Sequence, residues 1–360
     1  MSRPAIAHIR LDAFRHNYRI AKQMHGGKAM AVIKANAYGH GAVQCAKAIE
    51  HEADGFAVAC IEEAVELRQA GIVHPILLLE GFFDPTELPE IVANNLWIVI
   101  HAQWQLTVLL SAKLAKPLHV WLKLDSGMHR VGLNTNEYLD AYKLLQAHQN
   151  IANIVLMSHF ANADNVDSSG TNQQIIVFEQ VIKSIPNPSV SLANSAAVLA
   201  WPITHQICKS INWSRPGIML YGADPLLNNE TPLKAVMQLT SKIISIRKIS
   251  KGEAIGYGSL FVANRETVVG VVACGYADGY PRSAISAPVA VDQVMTKVIG
   301  RVSMDMLMVD LTDITNAKIG SIVELWGDKV SANYVAKAAG TIAYELFCNV
   351  KRPHFIYTDS

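Results

Sequence analysis

Eight repeats of one pattern constrain this chain more than any other feature: between about residues 29 and 222, short β-rich runs alternate with segments of helical periodicity. The pattern predicts strands over 30–33, 55–60, 76–80, 97–101, 118–124, 154–160, 190–193 and 218–221. Strands linked by helices pair in parallel, and eight such units fit a closed (β/α)8 TIM-like barrel with its active site at the strand C-terminal ends. Stripes such as Ala42, Ala46 and Ile49, or Ala64, Leu67 and Ile72, give the intervening helices an apolar face. An open doubly wound sheet is the alternative, but the Gly-rich dinucleotide fingerprint that accompanies many such sheets is missing from the sequence.

After Tyr221 the texture changes. GADPLLNNETP reads as a turn-rich connector, and the runs MQLTSKIISIRKIS, TVVGVVAC, TKVIGRVSMDMLMVDL and SIVELWG predict a compact antiparallel β-domain. The fold class is therefore α/β plus all-β, with a barrel over 1–230 and a β-domain over 231–360. A strand and helix within 5–25 precede the barrel. With 51% hydrophobic residues and a net charge of +1, the chain has material for a large core and no basic run to track nucleic acid or an anionic membrane. The start carries no apolar stretch of signal-peptide length, and no apolar run reaches membrane-span length, so the expected location is cytoplasmic. Five scattered cysteines without metal spacing fit free thiols, and no metal site is expected.

Lys34 follows the apolar run AMAVI, which places it at the mouth end of the first barrel strand. Most strand-end lysines are merely solvated, yet the neighbours of this one are unusual. Tyr38 lies four residues on, and Gly39 and Gly41 allow a tight turn into a helix near Ala42 whose N-terminus would favour an anion. In LHVWLKLD, residues 118–125, strand alternation puts Leu118, Val120, Leu122 and Leu124 on one face and His119, Trp121, Lys123 and Asp125 on the other. If the first face meets the helices, Lys123 points into the barrel.

AVIKANAYGHG resembles the cofactor-binding signature of the bacterial alanine racemases, which are barrel-type pyridoxal-phosphate enzymes. LKLDSGMHRVG, SHFANAD, ANSAA, RPGIMLYG, AIGYGSLF, GYADGYPR, RVSMDM and GTIAYELFC resemble further family motifs in the same order, from Lys34 to Cys348. The resemblance implies interconversion of L- and D-alanine, with Lys34 holding pyridoxal phosphate and serving as one base. Tyr257 is the implied base on the opposite face, supplied by the partner subunit of a homodimer and attended by His159. A tyrosine must be helped to give up its proton near neutral pH, so its surroundings matter.

By the same resemblance, Arg215 faces the cofactor's ring nitrogen. A guanidinium does not surrender its proton, so the ring stays unprotonated and is a weaker electron sink. Related decarboxylases use a carboxylate there, and RPGIMLYG contains none. Tyr38, Ser195, Tyr344 and the backbone of Gly217 and Ile218 are implied to hold the phosphate; read locally, Ser195 is equally an N-cap for AAVLAW. The lysine matching Lys123 is commonly carbamylated and orients the arginine matching Arg130 toward cofactor and substrate carboxylate. Tyr276, Met304 and Asp305 match residues lining the substrate entrance, with the Met304 amide on the carboxylate. Two enzyme alternatives are a broader-specificity racemase and a fold-related decarboxylase, and a third reading is a non-catalytic carrier of the cofactor. The resemblance implies supply of D-alanine for cell-wall synthesis or the catabolic counterpart that runs toward L-alanine, and the sequence does not separate these roles.

Overall fold

The computed structural model describes residues 3–227 and 231–359. Eight parallel strands close into a barrel: β2 (Lys28–Val32), β3 (Gly55–Val58), β4 (Ile76–Leu78), β5 (Leu96–Ile100), β6 (Leu118–Lys123), β7 (Ile151–Met157), β8 (Ser189–Asn194) and β9 (Asn212–Arg215), with β9 pairing back onto β2. The barrel predicted from the alternation is thus present, with one strand displaced. The apolar run Ile218–Tyr221 is a buried one-turn helix, and the eighth barrel strand lies just before it. Pro216 lacks an amide to continue the ladder, so the strand ends at Arg215.

The floor of the barrel is aromatic. Trp97 on β5 and Trp213 on β9 meet at 5.9 Å between ring centroids, and Trp121 on β6 approaches Trp213 at 5.6 Å. These strands are not neighbours in the barrel, so the rings touch only across its interior. Lys28 lies over Trp213 at 5.1 Å, a cation–π contact. Alternation then fixes the mouth: Lys123 stands two residues beyond Trp121 and Arg215 two beyond Trp213, so both cations share the inward face one layer higher.

β1 (Ile6–Arg10) comes first in the chain but not in the barrel. It pairs antiparallel with β10 (Met237–Ile249) and parallel with His354–Thr358, joining an eight-stranded sheet of the C-terminal region. β10 also pairs antiparallel with Thr267–Val272 and with Ile322–Trp326, giving the mostly antiparallel domain that the sequence predicts. The helix Leu11–His25 carries the chain from this sheet back to the barrel. Helix Ala343–Asn349 leans on the turn after β2, so the second domain contributes directly to the surroundings of Lys34.

Candidate active site

Lys34 begins a segment whose backbone is strained. Ala35, Asn36, Ala37 and Tyr38 have φ of 52°, 52°, 51° and 40°, one turn of left-handed helix. Each non-glycine residue in that conformation costs about 1–2 kcal/mol, so the turn must be held by its surroundings. The Ala37 amide donates to the Ile33 carbonyl at 2.8 Å and the Gly41 amide to Asn36 at 3.0 Å. The Ala42 amide donates to Asn36 Oδ1 at 2.9 Å. That last bond corrects one sequence expectation: the first amide of the short helix Ala42–Ala48 is taken by the turn itself rather than left open for an anion. Gly39, at φ 77°, lies where a Cβ would strike the Phe347 carbonyl.

Around this lysine the barrel gathers positive charge. Lys123 is only 6% exposed, and burial, then Arg215, Arg130 and Lys34, pulls its ammonium down to about 7; only Asp125 opposes them. Asp125 is already engaged, accepting from the Gly127 and His129 amides at 3.0 Å each. Its loop folds back on the strand through Leu133, whose amide donates to the Lys123 carbonyl at 2.8 Å, and it presents Arg130 at the exposed rim. Four cations around one committed carboxylate make a site that favours bound anions.

Arg215 is buried and held on every side. Its guanidinium donates to Ser191 Oγ, to the Ser158 carbonyl at 2.7 Å and to the Leu192 carbonyl at 3.4 Å. It also donates to His159 Nδ1 at 3.2 Å. Burial lowers Arg215 to about 10, which leaves it charged near neutral pH. His159 is held well below the usual imidazole range by burial and by Arg215, Lys123, Arg130 and Lys34, so it is neutral and accepts at Nδ1. Ser191 Oγ in turn donates to the Trp213 carbonyl at 2.9 Å. Sequence reasoning missed Ser191; its place two residues before Ala193, on the inward alternation of β8, is the signal that would have found it.

Opposite Lys34 lies a small polar cradle. Ser195 Oγ accepts from the Gly217 amide at 2.8 Å and the Met219 amide at 3.3 Å. The N-cap of the following helix is Asn194, which accepts from Ala197 at 3.0 Å, so Ser195 is free of the capping role the local pattern offered. Gly217 faces Tyr38: a Cβ there would come within 2.6 Å of the Tyr38 hydroxyl. The Tyr38 and Tyr344 rings are 5.6 Å apart, and burial raises both phenols, Tyr344 to about 12, so both remain hydrogen-bond donors near neutral pH. Ile218 is buried at the start of the one-turn helix beside them.

Tyr257 is placed differently. It sits on the second domain in a turn between Gly256 and Gly258 and is 68% exposed. A Cβ on Gly256 would lie 2.9 Å from Met308, so this turn packs on the strand after Met304. Tyr276 and Met304 are 39% and 54% exposed and adjoin one another, since the Tyr276 and Ala277 amides donate to the Ser303 and Met304 carbonyls at 3.0 Å. Asp305 pairs with Arg352 at 3.1 Å, and its carbonyl accepts from Arg3 at 2.9 Å. The chain therefore brings together Lys34, Tyr38, Lys123, Arg130, His159, Ser195, Arg215, Gly217 and Ile218 at its barrel, with Tyr344 reaching them from helix Ala343–Asn349 of the second domain, and carries Tyr257, Tyr276, Met304 and Asp305 on an outer face of that domain.

A closed parallel barrel with a lysine on a strained turn at its cationic mouth, joined to a sheet domain, has the form of a barrel enzyme whose mouth suits anionic ligands. Family models agree in detail: the alanine racemase N-terminal domain matches residues 9–225 and the alanine racemase C-terminal domain matches residues 236–357. An alanine racemase from Pseudomonas entomophila is 55% identical over 97% of this chain and 98% of its own. A catabolic alanine racemase from Pseudomonas putida is 56% identical with the same coverage. The crystal structure of the biosynthetic alanine racemase from Pseudomonas aeruginosa superposes with a TM-score of 0.94 at 44% identity, covering 99% of both chains. That of alanine racemase from Bartonella henselae with covalently bound pyridoxal phosphate gives 0.86 at 30% identity, again over 99% of both. The chain belongs to the alanine racemase family, whose members are pyridoxal-phosphate-dependent isomerases.

Proposed function

We propose that this enzyme interconverts L- and D-alanine by two-base proton transfer, with Lys34 of one subunit and Tyr257 of its partner on opposite faces of the substrate. The observation that carries the reading is the separation just described: a lysine inside the barrel mouth and a tyrosine turned outward on the second domain. Leu260, Val262, Tyr276, Met304 and Met306 are exposed on or near that same outer face, which suits burial against a second copy. A homodimer would close each barrel with the other chain's residues. The barrel portion of 1–230 would then hold the cofactor, and the β-domain of 231–360, which takes in the N-terminal strand Ile6–Arg10, would lend the second base.

Pyridoxal phosphate fits the residues present, because the hydroxyls of Tyr38 and Ser195 converge on Gly217, where a Cβ would strike Tyr38, and Tyr344 stands beside them. When bound, it supplies an electron-accepting iminium and ring that make the α-proton removable. Lys34 would anchor it, the cradle with Ile218 would take its phosphate, and Arg215, which only donates, would leave a ring nitrogen beside it unprotonated. Lys34 and Tyr257 then take and return protons, while His159, neutral and fixed by Arg215, serves as the tyrosine's hydrogen-bonding neighbour. Lys123, about half deprotonated near pH 7, offers a free amine to carbon dioxide; carbamylation, with release of a proton, would convert it to the anion this cluster lacks and orient Arg130 toward the substrate carboxylate. Met304, Tyr276 and Asp305 close the entrance from the partner. The absence of a carboxylate from RPGIMLYG speaks against the decarboxylase alternative.

Mixing two inactive variants tests the arrangement. Lys34→Ala and Tyr257→Phe should each be nearly dead, and random reassociation should restore up to about a quarter of wild-type activity, because half the dimers carry one intact site of two. No recovery, with mixed dimers verified by mass, would place both bases in one chain. The cellular role we propose is a cytoplasmic supply of D-alanine for the cell wall. The similarity to a catabolic relative supports a second reading, growth on D-alanine. Deleting the gene separates them: D-alanine auxotrophy indicates the first, failure to grow on D-alanine alone the second.

A further inference from the structure

We propose that Glu63 is a positioning residue for Lys34, holding the left-handed turn in register with the neighbouring loop of the barrel mouth. The inference rests on the racemase reading above. Glu63 lies in the helix Ile61–Gln69 that follows β3, and its carboxylate bridges two loops. Oε1 accepts from the Ala35 amide at 2.6 Å, and Oε2 accepts from the Ala59 amide at 2.8 Å. Ala35 is the residue immediately after Lys34 and the first of the four at positive φ. Its amide cannot be satisfied by the turn's own carbonyls in the way Ala37 and Gly41 are, and it faces the exposed side of the turn.

A role close to capping accounts for one of these bonds. Glu63 is the third residue of its helix and reaches back to the Ala59 amide, one residue before the N-cap Cys60 whose amide a capping glutamate would take. The second oxygen exceeds what a cap requires. By tying the peptide after Lys34 to the β3 loop, it fixes the direction in which the Lys34 side chain leaves the backbone, and small misplacements of a reacting group are costly. Glutamine in this position would keep one acceptor and turn an N–H toward the other amide, and aspartate is too short to span both.

Glu63→Gln and Glu63→Asp, with Glu62→Gln as the control at the adjacent exposed acid, test the proposal in the holoenzyme. We expect kcat for alanine to fall at least about tenfold in both Glu63 variants with KM within about twofold, because the groups that would bind the substrate carboxylate are untouched. Glu62→Gln should match the wild type. Amide hydrogen exchange supplies a readout independent of turnover. In the wild-type chain, with and without cofactor, the Ala35 amide should be protected despite its exposed position, and in the Glu63 variants its exchange should quicken at least about tenfold. An unprotected Ala35 amide in the wild type, or variants whose kcat equals that of the wild type, would overturn the proposal. A wild-type chain without racemase activity but with a protected Ala35 amide would overturn the racemase reading instead.

Discussion

The two ends of the barrel are built on opposite principles. The floor is filled by Trp97, Trp121 and Trp213, whose rings meet across the interior, and its cation Lys28 lies on an aromatic face. The mouth carries Lys34, Lys123, Arg130 and Arg215 around one engaged carboxylate, on a backbone that spends five consecutive residues, Ala35 to Gly39, at positive φ. One end maximises packing and the other tolerates strain and uncompensated charge. Strand alternation couples them, because Trp121 and Lys123, like Trp213 and Arg215, are inward neighbours on the same strand. Function at the mouth therefore stands on stability at the floor.

The sharpest way to break this contrast is Lys34→Ala. Loss of both the anchor and one base should lower kcat/KM by more than about a thousandfold while thermal stability of the cofactor-free protein changes little. At the floor the balance reverses. Trp121→Ala should destabilise the protein by about 3–5 kcal/mol in denaturant unfolding, and activity measured well below the melting temperature should fall far less than in the lysine variant.

A smaller effect separates the mouth's charge from its chemistry. Lys123 titrates near 7 when folded against the usual 10.5, so between those values the unfolded chain binds the additional proton. Stability of cofactor-free, carbon-dioxide-free protein should accordingly rise with pH across about pH 7 to 10.5 through this group, and the contribution is lost as pH falls through 7. Lys123→Met should remove that part of the slope, as measured by denaturant midpoints at several pH values.

These regions also differ in how far the sequence exposed them. The barrel was legible because a strand–helix period repeated eight times leaves few closed solutions, and the inward direction of Lys123 followed from alternation within β6. The eighth strand was misplaced since Ile218–Tyr221 is as apolar as a strand, and only the tertiary position of Pro216 and Gly217 makes it a turn. Apolar composition reports burial, and both structures bury it. The left-handed turn after Lys34 was only half visible, through Asn36, Gly39 and Gly41, because Ala35, Ala37 and Tyr38 carry no local preference for it. Alternation points Ser191 inward, but its pairing with Arg215, like that of Glu63 with Ala35, comes from the packing of neighbouring strands and their loops and not from spacing along the chain. The motif residues were found through family resemblance, whereas their division between barrel and outer face required the fold.

One experiment addresses the mouth as a whole: incubation of the enzyme, loaded with pyridoxal phosphate, with L-alanine in heavy water, following D-alanine and α-deuterium together. We expect D-alanine that carries deuterium at Cα, the mark of proton removal on one face and return on the other. Deuterium exchange without inversion would contradict a second working base, and carbon dioxide release without D-alanine would contradict racemisation itself.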